Sequence, residues 1–183
     1  STAQLGEICH CGIDAMTFDP KAVLNGPTLS LRQMVKSDWD AVYAEASKPE
    51  LWAGHPATDR WQEPAFRAIF DGGLANPDGC YVIHQKGREA VAGITRYYST
   101  TDTQTRIGYT FVALDLWGTG VNTELKKLML DHAFASLERV YFDIGTENWR
   151  SRKAVEKLGG ELCAQTQDDK VEYVLHKSTW INR

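Results

Sequence analysis

The stretch from Thr105 to Ala133 constrains this chain more than any other. Residues 105–112 alternate in the manner of a strand, Trp117-Gly118-Thr119-Gly120 reads as a turn, and Val121, Leu125, Leu128, Met129, His132 and Ala133 then fall on one face of a helix. A strand is thereby delivered through a glycine turn straight into the clearest helix of the chain. Glycines let a backbone bend so that its N–H groups converge. A helix start adds four unpaired amides and a partial positive charge, so a diphosphate is a natural ligand for such a junction. The same residues also make an ordinary tight turn, and the motif alone leaves both readings open.

The rest of the chain supplies a context for that junction. Leu29 and Leu31 alternate as a short strand, and Ser37-Asp38 precedes Trp39, Val42, Tyr43 and Ala46 at helical spacing. A second helix is expected from Pro64 through Phe70, ended by Gly72-Gly73. Residues 81–85, 90–98 and 105–112 read as an antiparallel meander. Beyond the long helix, Val140, Phe142 and Ile144 alternate as a strand. Asn148 opens a shorter helix with Ala154, Val155 and Leu158 on one face and Gly159-Gly160 at its end, and residues 162–166 and 171–176 close as a hairpin. The order is β-αα-βββ-α-β-α-ββ. That pattern predicts a mixed α+β fold in one domain over residues 27–183, preceded by an irregular lead-in over residues 1–26.

Composition narrows the function classes. With 43% hydrophobic and 24% charged residues, and no long apolar run, the chain is expected to be soluble and cytoplasmic, without a membrane partner. A net charge of −4 argues against a general nucleic-acid binder and is compatible with a cationic amine as substrate. Cys9, Cys11, Cys80 and Cys163 form neither a disulfide framework nor a paired zinc site. Cys9-His10-Cys11 lacks a second ligand pair at zinc-finger spacing, so no metal is expected. A homodimer is left open.

The segments Ile107-Gly108-Tyr109, Trp117-Gly118-Thr119-Gly120, Asn148-Trp149-Arg150-Ser151 and Ala154 to Gly160 resemble the acetyl-CoA-binding core of the GNAT superfamily. They are most similar to its branch of RimJ- and RimL-like ribosomal-protein alanine N-acetyltransferases. The resemblance extends over residues 29–175 in element order and over residues 107–160 in motif. It implies a mostly antiparallel sheet of about seven strands, splayed between the fourth and fifth, with about four flanking helices. It further implies transfer of an acetyl group from acetyl-CoA to a primary amine, on a small molecule or a protein N-terminus, by direct attack. Alternatives are a non-catalytic acyl-CoA-binding module and a transferase of a longer acyl group such as succinyl.

Site residues follow from the same resemblance. A bulge at Phe111, Val112 and Ala113 would pair its backbone with the pantetheine arm and supply an oxyanion donor. The amides of Gly118, Thr119, Gly120, Val121, Asn122 and Thr123 would cradle the pyrophosphate, with Trp117 standing where the family usually has Arg or Gln. Val155 occupies about the position of the family's usual acid, a Tyr, and cannot donate a proton; Ser151, which follows Asn148 by three, resembles the Asn-x-x-Ser of the RimL branch and is the replacement candidate that this resemblance implies. Asn148 binds the pantetheine amide, caps its helix, or does both. Asp143 is the general base through water, assisted by Tyr109, and His55 contacts the acceptor. Each has a structural alternative: core packing for Trp117 and Tyr109, a first-turn helix serine, a solvated strand Asp, and a loop His without a role.

Overall fold

A computed structural model describes residues 17–166 and 168–183; Cys9-His10-Cys11 lies outside the described residues. The elements are β1 (Leu24–Asn25), β2 (Leu29–Gln33), α1 (Trp39–Ala46), α2 (Glu63–Ala75), β3 (Tyr81–Gln85), β4 (Gly93–Tyr98), β5 (Gln104–Val112), α3 (Val121–Phe134), β6 (Arg139–Gly145), α4 (Trp149–Lys157), β7 (Glu161–Gln165), β8 (Lys170–His176) and α5 (Lys177–Ile181). They build one eight-stranded sheet in the order β1-β2-β3-β4-β5-β6-β8-β7. All neighbours run antiparallel except β5 and β6. The predicted element order holds, with two additions. The stretch expected to be irregular contributes β1, and α5 follows β8. No helix among the described residues is long and apolar enough to cross a membrane.

Strand alternation sorts the side chains between two cores. Val140, Phe142 and Ile144 of β6 and Val171, Tyr173 and Leu175 of β8 join Leu125, Met129 and Ala133 of α3 and Val155 of α4 on one face. On the other face, α1 and α2 bring Val42, Phe66 and Phe70 against Val82, Ile94 and Phe111. Ala154, placed by its spacing on the buried face of α4, is exposed.

Two local expectations fail for identifiable reasons. Gly72-Gly73 does not end α2, because Gly73 lies inside it where a Cβ would come within 3.1 Å of Cys80 and Met34, so the small residue serves close packing. The helix stops at Asn76, whose ψ of 127° is the extended geometry imposed by the following Pro77. The strand bulge lies at Tyr109-Thr110, upstream of the expected Phe111 to Ala113. Register passes from Arg96 opposite Gly108 to Ile94 opposite Phe111, so one residue of β4 faces two of β5. Tyr109 adopts the left-handed φ of 51°. Gly108 and Tyr109 both face Tyr98 on the α2 side, whereas the Thr110 hydroxyl meets Thr95 at 2.8 Å on the α3 side. This slip lets Ile107 and Val112, five residues apart, both join the α3 core.

Candidate active site

The cleft follows from the single parallel pair. β5 and β6 are in register only at Gln104–Arg106 against Arg139–Tyr141; beyond that they part, and the last half of β5 has no partner on its β6 side. Alternate residues of a strand present their N–H and C=O to opposite edges. Phe111 and Val112 are registered opposite Ile94 and Gly93, and the Ala113 amide donates to the Ala92 carbonyl at 2.8 Å, so by alternation Phe111 and Ala113 turn their backbone groups to β4. Of the three residues expected to offer free backbone, Val112 is the one that faces the gap. Its carbonyl accepts the Trp117 indole N–H at 2.9 Å, which leaves the amide as the available group.

The turn after β5 converges on the same opening. Gly120 caps α3 in the left-handed region, with φ 87°, and Gly118 has φ 74°. At both, an added Cβ would meet nothing within 4 Å among the described residues, so space stands open in front of the backbone. The Thr119 amide is directed to the Leu116 carbonyl, and the first helical hydrogen bond runs from Glu124 N–H to the Gly120 carbonyl at 3.1 Å. The amides of Val121, Asn122 and Thr123 therefore have no helical acceptor. Glu124, the acidic residue of this first turn, is drawn off by the Thr28 and Leu29 amides at 3.2 and 2.7 Å. An anion at the helix start thus meets amides without a competing carboxylate.

Trp117 is not a core residue: it is 39% exposed, and the Arg150 guanidinium carbon lies 4.2 Å from its ring centroid. That contact brings the first turn of α4 to the mouth of the cleft and adds a cation there. Asn148 caps α4, accepting the Ser151 amide at 3.4 Å, while Ser151 is half-buried and its hydroxyl has no partner among the described residues. Val155 is 4% exposed, in the core.

Asp143 sits elsewhere than a free base would. Arg106 donates to both of its oxygens, at 2.8 and 3.0 Å, and the Tyr98 hydroxyl donates at 2.8 Å. Arg106 also reaches Glu172 at 3.1 Å, so a polar chain crosses β4, β5, β6 and β8 where the splay begins. Burial, reinforced by Asp143, pushes the Tyr98 phenol far up and keeps it a donor. Tyr109, read alternatively as core, is 41% exposed. Its ring lies between the Arg96 guanidinium at 3.8 Å and the Tyr98 ring at 5.4 Å.

His55 lies on the loop that bridges the splay on the α1/α2 side. Trp52 packs on Phe111 of β5, with ring centroids 5.9 Å apart, and Pro56 fills the space beside Gly145 of β6. Burial lowers the His55 pKa to about 4, helped by Arg60 and Lys170, so the ring is neutral near pH 7. Its Nδ1 accepts the Ala57 amide at 3.0 Å, which leaves the hydrogen on Nε2. Its lone pair is thereby taken, and Arg60 Nη1 lies 3.5 Å from Nε2. Arg60, Arg96 and Arg150 were not singled out in the sequence. A charged residue inside the apolar run Gly93-Ile94-Thr95-Arg96-Tyr97 was the available signal for Arg96; the other two sit among polar residues and carried none.

A parallel pair that splays beside a glycine-built turn leaves a cleft that runs from the sheet to the uncapped amides at the start of α3. Residues 28–161 match the model of the acetyltransferase (GNAT) domain, and the chain belongs to that family. Solved structures agree on the fold. A GCN5-related N-acetyltransferase from Brucella melitensis superposes with a TM-score of 0.75 at 16% identity, covering 88% of this chain and 81% of that one. An acetyltransferase from Agrobacterium tumefaciens gives 0.67 at 21% identity, covering 85% and 94%. Mycobacterium smegmatis RimJ in complex with CoA-disulfide gives 0.65 at 17% identity, covering 88% and 94%. No curated protein matches the chain.

Proposed function

We propose that this acyltransferase moves the acetyl group of acetyl-CoA onto a primary amine by direct attack, as RimJ- and RimL-like enzymes of its family do. The observation that carries the reading is the Val112 amide, unpaired by β4 and facing the gap, in line with the open amides of Gly118, Gly120, Val121, Asn122 and Thr123. Open space in front of both glycines is what a diphosphate held by backbone requires, so the residues present fit acetyl-CoA. When bound, acetyl-CoA supplies an activated thioester carbonyl.

The protein's own groups then have separate tasks. The Val112 N–H donates to the carbonyl oxygen as negative charge develops there. Ser151, held in the first turn of α4, donates its proton to the departing sulfur and is reprotonated from water. Water in the mouth takes the proton released by the acceptor ammonium, since Asp143 is engaged by Arg106 and Tyr98 and the His55 lone pair by Ala57. The new C–N bond replaces the C–S bond, and one proton leaves overall. The test is CoA thiol release over a panel of amines, run with acetyl-CoA and succinyl-CoA. Tight acetyl-CoA binding without release from any amine would replace this reading with that of an acyl-CoA-binding module. Faster release from succinyl-CoA would change the acyl group.

A further inference from the structure

We infer that the acceptor is a small amine that also bears a carboxylate, and that Arg96 holds this carboxylate beside Tyr109. The inference rests on the acyl-transfer reading above and deepens it by naming the acceptor's class.

Arg96 is 6% exposed, yet no carboxylate among the described residues lies within ion-pair distance of it. Its one hydrogen bond runs from Nη2 to the Ile69 carbonyl at 3.2 Å, and its Nε is buried without a partner. Arg106, on the same face of the sheet, shows what the chain does with a guanidinium it needs for structure: it supplies Asp143 and Glu172. Arg96 instead opens onto a cavity of about 440 Å³ bounded by Gly72 and Ala75 of α2, the Ser99-Thr100 turn, Tyr98 and Tyr109. A buried guanidinium without a counter-charge is costly, and a ligand carboxylate supplies the missing charge in the paired geometry that guanidinium favours.

Arg60 adds a further positive charge on the loop that bridges the splay, where its Nη1 lies 3.5 Å from His55 Nε2. It sits on the bridging loop, half-buried, with its guanidinium carbon 5.8 Å from the Trp52 ring centroid and no carboxylate in ion-pair contact among the described residues. Burial depresses its pKa, and Arg96 lowers it further while Tyr109 and Asp59 raise it. Two unpaired cations would repel an acceptor whose only charge is its ammonium. The cavity's single lining carboxylate, Asp78, accepts the Thr100 amide at 3.1 Å, four residues along the chain from Arg96. Tyr109 lines the cavity, and Val112 lies three residues further along β5, a span of about 10 Å. An acceptor that carries its amine and its carboxylate at opposite ends can bridge such a span from Arg96. The cavity volume suits a small molecule rather than a folded surface.

The test compares p-(aminomethyl)benzoate with its isosteric carboxamide, p-(aminomethyl)benzamide. Calorimetric binding to the intact protein and kcat/KM for CoA release are both expected to favour the carboxylate at least tenfold. Arg96→Gln should shrink that ratio at least threefold, chiefly through KM; Arg96→Lys, which keeps the charge and loses the fork, should do the same if Arg96→Gln does not fold. Equal or better binding of the carboxamide would overturn the inference, as would faster acetylation of an uncharged peptide's N-terminus. CoA release without carboxylate preference sinks this inference alone. Absence of release from every amine sinks the transfer reading, and the calorimetric ratio then still decides whether the carboxylate site exists.

Discussion

Replacing Gly120 with Val separates the anion cradle from the turn that carries it. Gly120 has φ 87°, and a Cβ there would meet no atom within 4 Å, so the substitution brings backbone strain without a clash. A β-branched residue held in that region costs about 1–3 kcal/mol. For a chain of this length that is a fall of about 2–12 °C in Tm, which a stable domain survives. The strain relaxes by rotating the Gly120–Val121 peptide, which turns at least one amide out of the cradle. A hydrogen bond to a charged group contributes about 1.5–3 kcal/mol, so the Kd for CoA should rise about 10- to 150-fold. Gly87 provides the control: its φ is 78°, it too meets nothing within 4 Å, and it lies in the β3–β4 turn. Gly87→Val should lose comparable stability and keep its CoA affinity. Calorimetry with CoA and thermal unfolding of both variants decide the matter. A folded Gly120→Val protein with wild-type affinity would refute the cradle, and so would equal weakening by Gly87→Val.

Other expectations are as direct. Ser151→Ala should lower kcat at least tenfold while the Kd for acetyl-CoA changes little; wild-type turnover would remove Ser151 from the acid role. Asp143→Asn weakens the Arg106 pair and should cost about 1–2 kcal/mol in urea unfolding, without deleting a limb of the kcat pH profile. Loss of a limb of that profile with unchanged stability would instead make Asp143 the base. The His55 pKa is depressed from 6.5 to about 4, so between those values the unfolded chain binds a proton that the folded chain does not. Stability is therefore full above pH 6.5 and declines as pH falls toward 4, and His55→Gln should flatten that part of the profile. An identical decline in the variant would show that other groups cause it.

Much of this protein is determined by its sequence alone, because the signals are local. The stripe from Val121 to Ala133 needs only helical periodicity, the alternation of Val140, Phe142 and Ile144 needs only the pleat, and the glycines of the Trp117 to Gly120 turn need only the φ angles that other residues avoid. The Asn148 cap is local as well, since its oxygen reaches an amide three residues away. Tertiary structure decided what those elements do together. The position of the bulge depended on how β4 and β5 register around Tyr109, and period-two reading cannot register an inserted residue. Which of Phe111, Val112 and Ala113 offers its amide followed from that registration. Asp143 had the chemistry of a base in sequence; only the fold brought Arg106, 37 residues away, and Tyr98, 45 residues away, onto its oxygens. Arg96 was one charge in an apolar strand until α2 and Tyr109 enclosed it without a counter-ion. Periodicity reports which side of an element is buried, but the partner a charge meets there is set by other elements across the chain.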